Sequence, residues 1–368
     1  MTSAGQRVGH QGRFFMTRAA GPAHPGAPTH PGEGHQLSLN EMPAVPLAHL
    51  EEVLRESLLG ANRYPDPFSR RLTEAIADLY SVPDHEVVVG PGSAAILQHV
   101  IQWAAPQPTD EVIYARPSFD AYRLVVNAAG AKPVEVPLKE HKHDLSRMLD
   151  GITPHTRALV LCNPHNPTGT ALDTAGMLAF LREVPEHVVI VLDEAYREFA
   201  GGQDTLNGPE AYHDIPNMVV LRSFSKAYGL AGLRVGYALA PRDIAHTLRN
   251  RLLPFSVSTI AEAAARAALA RRPEVLRQVD RVIAERGRLT EGLRHQGWDV
   301  TPSAANFCWL PLGPRSPAFA AAAARQGILV RAVGEEGVRI TVGEPQATDA
   351  LLHFTAQFAA ESAGLASA

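Results

Sequence analysis

The order of apolar and polar residues becomes regular at about Leu37, where short apolar runs begin to alternate with amphipathic stretches. The apolar runs predict strands at residues 86–89, 111–114, 132–136, 158–162, 188–192, 218–222 and 235–239. Helical periodicity lies between most of them, for example at residues 69–80, 94–104, 119–129 and 174–182. Such an alternation predicts an α/β fold of three layers, in which helices cover both faces of a mainly parallel, mixed sheet.

Beyond Pro254 the pattern is different, because helical periodicity dominates a long Ala- and Arg-rich stretch at residues 259–296. Short strands follow at residues 307–310, 328–331 and 338–342, which is typical of a smaller α+β unit. We therefore expect a disordered extension at residues 1–36, an N-terminal arm at 37–60, a large domain at 61–257 and a small C-terminal domain at 258–368.

The first 36 residues lack apolar periodicity and contain seven Gly, four Pro and four His. This composition is typical of a disordered segment, and it has no apolar core of the kind that a secretory signal needs. Its histidines have no fixed scaffold to preorganise them, so the sequence predicts no metal site there. They are His10, His24, His30 and His35.

Composition and charge exclude several classes of protein. The 368 residues carry a net charge of −4, with 45% hydrophobic residues, which is typical of a globular chain and not of a basic nucleic-acid binder. No apolar run approaches the roughly 18 residues of a membrane span. Cys162 and Cys308 are far apart and have no metal-binding spacing, so we expect a reducing, cytoplasmic location without a disulfide scaffold.

Candidate chemistry begins at Lys226, which lies just beyond the predicted strand 218–222. Two hydroxyl side chains, Ser223 and Ser225, precede it, and Arg234 follows eight positions later. A lysine at the end of a strand is usually solvated. Here, however, the strand ends at the edge where open sheets bind ligands, and the hydroxyls with Arg234 form a set suited to phosphate. A Schiff-base lysine beside a phosphate site is the arrangement that pyridoxal phosphate requires.

A carboxylate ends another apolar strand at the same predicted edge. Asp193 follows residues 188–192, and Tyr196 lies three positions further on. Asp193 could simply cap a helix or begin a turn. Alternatively, it could pair with a protonated pyridine nitrogen, which the electron-sink chemistry of the cofactor depends on, while Tyr196 lies near the ring oxygen.

Three further segments follow predicted strands. The loop of residues 163–169 contains two Asn-Pro pairs, so it is either purely structural or places the Asn166 amide on the phenolic oxygen of the cofactor. The turn at Gly92 and Ser93 opens a helix, where backbone N–H groups favour an anion. Phe119 is either a core residue or a ring that stacks on a flat cofactor.

Taken in order, these segments resemble the fold-type I, aspartate-aminotransferase-like pyridoxal-phosphate enzymes, and among them the histidinol-phosphate aminotransferases. The resemblance extends from about Leu37 to Phe358. The motifs that carry it are Leu37-Ser38-Leu39-Asn40-Glu41, Asn62-Arg63-Tyr64-Pro65-Asp66, Asn163-Pro164-His165-Asn166-Pro167-Thr168-Gly169, Asp193-Glu194-Ala195-Tyr196, Ser225-Lys226 with Arg234, and Arg339-Ile340-Thr341-Val342-Gly343.

The resemblance implies roles for the residues that match these motifs. The large domain would bind pyridoxal 5′-phosphate, with Lys226 as the Schiff-base lysine. Asp193 would pair with the pyridine nitrogen, Asn166 and Tyr196 would contact the phenolic oxygen, and Phe119 would stack on the ring. The phosphate would be held by a larger set, namely Gly92, Ser93, Ala94, Ser223, Ser225 and Arg234.

The resemblance also implies an assembly and a substrate site. Tyr64 would reach the phosphate of the neighbouring subunit, which implies a homodimer with shared active sites. Arg339 would hold the substrate α-carboxylate, Arg331 would contact the distal group of the substrate, and Asn40 would lie where the substrate enters.

The implied activity is a ping-pong transamination between an amino donor and a 2-oxo acid. A histidinol-phosphate:2-oxoglutarate aminotransferase of histidine biosynthesis is the first expectation. Met42 replaces an amide of the family pattern, and the segment between Arg331 and Arg339 is short, so an aromatic amino acid or secondary-metabolism aminotransferase is the alternative. A phosphothreonine-type decarboxylase is a further one. A DNA-binding regulator is not expected, because the residues before Leu37 lack helical periodicity.

Overall fold

Short buried strands alternate with helices along most of the chain, and the computed structural model describes them for residues 34–43 and 50–366, with side chains to residue 360. Within this range the strands are β1 (His35–Gln36), β2 (Val87–Gly90), β3 (Glu111–Arg116), β4 (Lys132–Pro137), β5 (Thr156–Cys162), β6 (Val189–Asp193), β7 (Met218–Ser223), β8 (Gly236–Leu239), β9 (Phe307–Leu310), β10 (Ile328–Leu329), β11 (Arg331–Val333) and β12 (Gly337–Thr341).

The helices in the same range include every helical segment that the sequence pattern predicts. They are α1 (Leu50–Leu58), α2 (Arg70–Tyr80), α3 (Ser93–Ala104), α4 (Asp120–Ala129), α5 (Leu145–Asp150), α6 (Thr174–Glu183), α7 (Gly208–Ala211), α8 (Arg242–Arg249), α9 (Thr259–Ala270), α10 (Arg272–His295), α11 (Ser316–Arg325) and α12 (Pro345–Ala366).

The described residues contain a seven-stranded sheet in the order β2-β8-β7-β6-β5-β3-β4. Neighbouring strands are parallel except at β8, which runs antiparallel to both β2 and β7. The exception has a simple cause, because β7 and β8 are joined without a crossover helix, and a parallel connection needs such a crossover. The sheet confirms the predicted α/β fold class.

Alternate residues of the central strands pack against helices on opposite faces of the sheet. In β5, Leu159 and Leu161 belong to the core on the side of α2 and α6, whereas Val160 and Cys162 belong to the core on the side of α3, α4 and α8. Because side chains alternate along a strand, a continuous apolar run fills both interfaces. This packing fixes the carboxyl ends of β5, β6 and β7 relative to one another.

The structure refines two predictions in the C-terminal part. The helical stretch expected at residues 259–296 consists of two helices, α9 and α10, with a break at Arg271. The reason is Pro273, which has no N–H to donate into the preceding turn and sterically disfavours its continuation.

The expected strand at residues 328–331 is likewise divided between two sheets. Ile328–Leu329 pairs in parallel with β1, while Arg331–Val333 joins the antiparallel sheet β11-β12-β9. The backbone therefore changes pairing partners at Val330, which apolar periodicity alone does not reveal.

Regular structure also begins earlier than the predicted end of the N-terminal extension, because His35–Gln36 forms β1. The remainder of the predicted extension, with His10, His24 and His30, lies outside the described residues. From Gly34 onward the described chain forms one compact unit. No helix among its described residues combines the length and the apolar character that crossing a membrane would need.

Candidate active site

The carboxyl ends of three parallel strands bring the candidate residues to one edge of the large sheet. Asp193 is the last residue of β6, Ser223 is the last residue of β7, and the loop that contains Asn166 follows β5. Lys226 lies three positions beyond β7. The sheet therefore assembles residues that are far apart in the sequence, as open α/β sheets do at their ligand-binding edge.

Lys226 lies partly buried beneath the N-terminal segment. Its Nζ donates hydrogen bonds of 3.0 Å to the carbonyl oxygens of Leu39 and Asn40. Burial and, next in size, the positive charge of Arg339 together lower the pKa of Lys226 to about 7. A large fraction of this amine is thus neutral near neutral pH, which a nucleophile or proton acceptor requires.

Asp193 is a buried carboxylate, 7% exposed, that two donors hold in place. The Tyr122 hydroxyl donates to Oδ2 at 2.7 Å, and the Ala195 N–H donates to Oδ1 at 3.1 Å. Burial raises the pKa of Asp193, while these hydrogen bonds favour its charged form. Sequence reasoning missed Tyr122, although a tyrosine on the buried face of α4 needs a partner for its hydroxyl.

Tyr196 follows Asp193 by three positions in the chain, and Asn40 holds its hydroxyl group. The Asn40 Nδ2 group donates to the Tyr196 hydroxyl at 2.9 Å. Thr341 fixes Asn40 in turn, since its Oγ1 accepts from the Asn40 N–H at 2.9 Å and donates to Asn40 Oδ1 at 3.1 Å. Asn40, expected at the substrate entrance, therefore also positions Tyr196.

Asn166 and Arg339 meet directly. Arg339 Nη1 donates to Asn166 Oδ1 at 2.6 Å, and Nη2 donates to the Ser38 carbonyl oxygen at 2.6 Å. The guanidinium lies 5.6 Å from the ring centre of Phe307, and burial lowers the pKa of Arg339. Its Nε is buried without a hydrogen-bond partner among the described residues. The unused donor on a buried cation suits a carboxylate ligand.

The predicted phosphate set forms a cradle at the start of α3. Arg234 Nη1 donates to the Ser225 hydroxyl at 3.2 Å, and the Ser225 N–H donates to the Ser223 hydroxyl at 3.0 Å. Gly92, at φ +92°, caps the helix, and a Cβ there would lie 2.6 Å from Arg234 Nη2. The guanidinium thus lies against the helix N-terminus, where Ser93 and Ala94 present backbone N–H groups.

Arg331 lies beside Arg339, because the two residues are opposite each other in the antiparallel pair β11–β12. Its Nη2 forms an ion pair of 2.7 Å with Asp120 Oδ2. Sequence reasoning missed Asp120, which follows Phe119 and begins α4. The distal arginine is therefore charge-compensated within the chain.

Two predicted aromatic residues lie at the surface of the described chain. Phe119 is 37% exposed, and its ring meets Tyr122 edge to face at 5.6 Å. Tyr64 is 86% exposed and contacts Phe255 at 5.1 Å between ring centres. Phe119 is connected to Asp193 through Tyr122, whereas Tyr64 is largely exposed to solvent.

The residues present fit pyridoxal phosphate on their own chemistry. Lys226 supplies an amine of lowered pKa, Asp193 a buried carboxylate, and Arg234 with the α3 N-terminus an anion cradle that a larger residue at Gly92 would obstruct. These groups match the aldehyde, the pyridine nitrogen and the phosphate of the cofactor.

Comparison with known proteins identifies the family of the chain. Residues 34–354 match the family described as aminotransferase class I and II. An aromatic amino acid aminotransferase of Streptomyces coelicolor is 45% identical over 328 residues, covering 89% of this chain and 91% of that protein.

Solved structures show the same fold. A histidinol-phosphate aminotransferase of Sinorhizobium meliloti, in complex with pyridoxal 5′-phosphate, superposes with a TM-score of 0.83 at 26% identity, over 89% of this chain and 91% of that one. A Thermus thermophilus aspartate aminotransferase double mutant gives 0.77 at 25% identity, over 88% and 91% of the two chains. The chain therefore belongs to the class I and II aminotransferases, and is a pyridoxal-phosphate-dependent enzyme of the aspartate-aminotransferase-like fold.

Proposed function

We propose that this aminotransferase takes the amino group from an aromatic amino acid and passes it to a 2-oxo acid such as 2-oxoglutarate. The observation that carries the proposal is the ion pair of Arg331 with Asp120. A phosphate dianion at this end of the substrate would have to displace Asp120, whose carboxylate lies 2.7 Å from the Arg331 guanidinium. An uncharged aromatic side chain leaves that pair intact.

The name of the Streptomyces coelicolor relative supports the same substrate class. Histidinol phosphate, the first expectation from the sequence, is supported less well, since the histidinol-phosphate aminotransferase of Sinorhizobium meliloti is only 26% identical. Met42, which packs against the core near the entrance segment, adds apolar surface where the family pattern has an amide. Among the described residues, Met42 and Leu37 line a cavity of about 430 Å³ that reaches Ser225.

The chain's own residues account for the chemistry of the amino transfer. When bound, pyridoxal phosphate supplies an electron sink for the negative charge that develops at the substrate Cα. Lys226 Nζ, with a pKa of about 7, can accept the Cα proton and return it. Asp193 would stabilise a positive charge at the pyridine nitrogen of the bound cofactor, and Tyr122 and the Ala195 N–H keep its carboxylate oriented.

Arg339 and the groups that hold it orient the substrate. Its guanidinium is fixed by Asn166 and by the Ser38 carbonyl, so the free donor can bind an α-carboxylate in one orientation. Leu39 and Asn40 cover Lys226 with backbone carbonyls, which keeps bulk water from its amine. Positioning and exclusion of water both lower the barrier to proton transfer.

We also propose a homodimer in the cytoplasm, built on the large cofactor-binding and small C-terminal domains expected above, in which Tyr64 reaches the partner's phosphate cradle. Several large apolar side chains of the described chain are exposed, and exposed apolar surface is typical of an interface. They include Leu58, Leu59, Phe68, Leu253 and Phe255, and Phe255 contacts Tyr64.

A substrate screen with the holoenzyme tests the proposal. Phenylalanine, tyrosine, alanine and histidinol phosphate are each supplied with 2-oxoglutarate, and kcat/KM is measured for each. We expect phenylalanine and tyrosine to exceed histidinol phosphate by at least about tenfold, a difference of about 1.4 kcal/mol in transition-state binding. A higher kcat/KM for histidinol phosphate contradicts the proposal.

A further inference from the structure

Asp120 forms an ion pair with Arg331, which lies beside Arg339, the proposed binding residue for the substrate α-carboxylate. Arg331 and Arg339 are direct partners in the antiparallel pair β11–β12, so their side chains leave the same face of the sheet, with Cβ atoms about 4.5–5.5 Å apart. Arg339 is fixed by Asn166 within the site of Lys226. The two guanidinium groups therefore form a pair of cations suited to a substrate with two carboxylates.

The ion pair between Arg331 and Asp120 is unequal in exposure. The Arg331 side chain is 14% exposed, whereas the Asp120 side chain is 71% exposed. Asp120 is the first residue of α4, so its backbone is fixed while its carboxylate can turn into water. An ion pair with one solvated partner is weak, and its acid can be displaced at small cost.

From this geometry we infer that Asp120 is a specificity-determining residue, which competes with the distal carboxylate of a dicarboxylic substrate for Arg331. The inference rests on the proposed function, since it assigns substrate classes to that same site. An aromatic amino acid or its monocarboxylic 2-oxo acid binds with the Arg331–Asp120 pair intact. Glutamate or 2-oxoglutarate displaces Asp120 and binds both arginines.

This arrangement lets one site accept two kinds of substrate in turn, as a ping-pong reaction demands. With Asp120 on Arg331, an aromatic ring meets a compensated charge and not a bare cation, whose desolvation would be costly. With Asp120 displaced, the distal carboxylate makes a charge-assisted contact. Asp120 thus weakens dicarboxylate binding in exchange for tolerating apolar side chains.

The test measures the acceptor half-reaction alone. Apoenzyme is reconstituted with pyridoxamine 5′-phosphate and mixed with 2-oxoglutarate or phenylpyruvate, and the apparent dissociation constant of each is obtained from the absorbance change of the cofactor. In Asp120→Asn we expect the constant for 2-oxoglutarate to fall about three- to fivefold, which is the range of a partly exposed ion pair. The constant for phenylpyruvate should rise or stay within about twofold.

Glu336→Gln is the matched control, because it removes the same charge from another acid–arginine pair, Glu336 with Arg116 at 3.5 Å. It should leave both constants unchanged within about twofold. A double-mutant cycle with Arg331→Met adds a second readout: in that background 2-oxoglutarate binds more weakly, and Asp120→Asn no longer improves it.

Three results overturn the inference. The first is that Asp120→Asn and Glu336→Gln change the dissociation constant of 2-oxoglutarate equally. The second is that Asp120→Asn binds 2-oxoglutarate more weakly than the unchanged enzyme. The third is that Asp120→Asn improves 2-oxoglutarate binding just as much in the Arg331→Met background. Because the cofactor is loaded as its amine form, the measurement needs no amino donor. A failure of the aromatic-donor proposal is therefore seen separately, in the donor screen.

Discussion

The Tyr122 hydroxyl donates a 2.7 Å hydrogen bond to Asp193 Oδ2, joining the helix after β3 to the carboxylate at the end of β6. Asp193 is buried, and burial raises its pKa. A buried carboxylate keeps its charge only when hydrogen bonds or cations offset the loss of water. Tyr122 is therefore a positioning residue that supports the charged form of Asp193.

Tyr122→Phe should weaken binding of pyridoxal phosphate by about tenfold, since a hydrogen bond to a charged group contributes about 1.5 kcal/mol or more. The lost donor favours protonation of Asp193, and a neutral carboxyl pairs poorly with the pyridinium. Titration of the apoenzyme with cofactor, followed by absorbance, gives the dissociation constant. Tyr114→Phe is the matched control, because it removes a hydroxyl that donates to Glu135. Equal losses in both variants would contradict the role.

The lowered pKa of Lys226 predicts how reconstitution depends on pH. The neutral amine attacks the aldehyde, so the rate at which apoenzyme forms its covalent bond with pyridoxal phosphate should rise with pH and level off above about 7. An unperturbed lysine would still be gaining rate at pH 9. Stopped-flow absorbance over a pH series locates the midpoint.

Among the charged groups, Arg339 lowers this pKa the most, so Arg339→Gln should move the midpoint upward. Removing a positive charge favours the protonated amine, which then persists to higher pH. Arg331→Gln removes the same charge from a residue that does not contribute to this pKa, so it should leave the midpoint in place. A downward shift in Arg339→Gln, or equal shifts in both variants, would show that the charge of Arg339 does not set the pKa.

Lys226→Ala should abolish turnover, because no other described side chain supplies an amine to this site. The covalent bond between protein and cofactor, trapped by borohydride and detected by peptide mass, should be lost as well. The control is Lys132→Ala, at an exposed position in β4, which should retain both turnover and the covalent bond to the cofactor. Transamination retained in Lys226→Ala would refute the assignment of the catalytic lysine.

Part of this site could be predicted from the sequence because its residues end apolar strands. Asp193 closes β6, and Lys226 follows β7 within three residues, so the strand pattern alone placed them at one edge. The carbonyls of Leu39 and Asn40 that hold Lys226 are 187 and 186 positions away in the chain. No local pattern encodes a contact of that range.

Other contacts were missed because periodicity assigns a residue to a face and not to a partner. Tyr122 lies in the predicted helical segment at residues 119–129, but the pattern does not indicate the carboxylate that its hydroxyl meets. Asp120 is an acid in the first turn of α4, where the helix dipole favours any acid, so no local signal marks its ion pair. Its partner Arg331 belongs to a strand that the pattern joined wrongly to β10.

Arg222, near the carboxyl end of β7, forms a buried ion network, and its loss should strongly destabilise the fold. Its Nε lies 3.0 Å from Glu194 Oε2, and its Nη1 lies 3.0 Å from Glu198 Oε1. Glu194 also accepts from the Gly208 N–H at 2.9 Å, and all three side chains are nearly inaccessible. Arg222→Met leaves two buried carboxylates without their cation.

We expect Arg222→Met to lower the free energy of unfolding by about 3–5 kcal/mol, the cost of removing one partner from a buried pair. Urea denaturation at neutral pH measures it. Burial already raises the pKa of Glu194, and without Arg222 that pKa rises further, so part of the lost stability should return as pH falls and Glu194 is protonated. Arg271→Met, from an exposed pair with Glu274, should cost less than about 1 kcal/mol. A loss in Arg222→Met as small as in this control would show that the buried network contributes little.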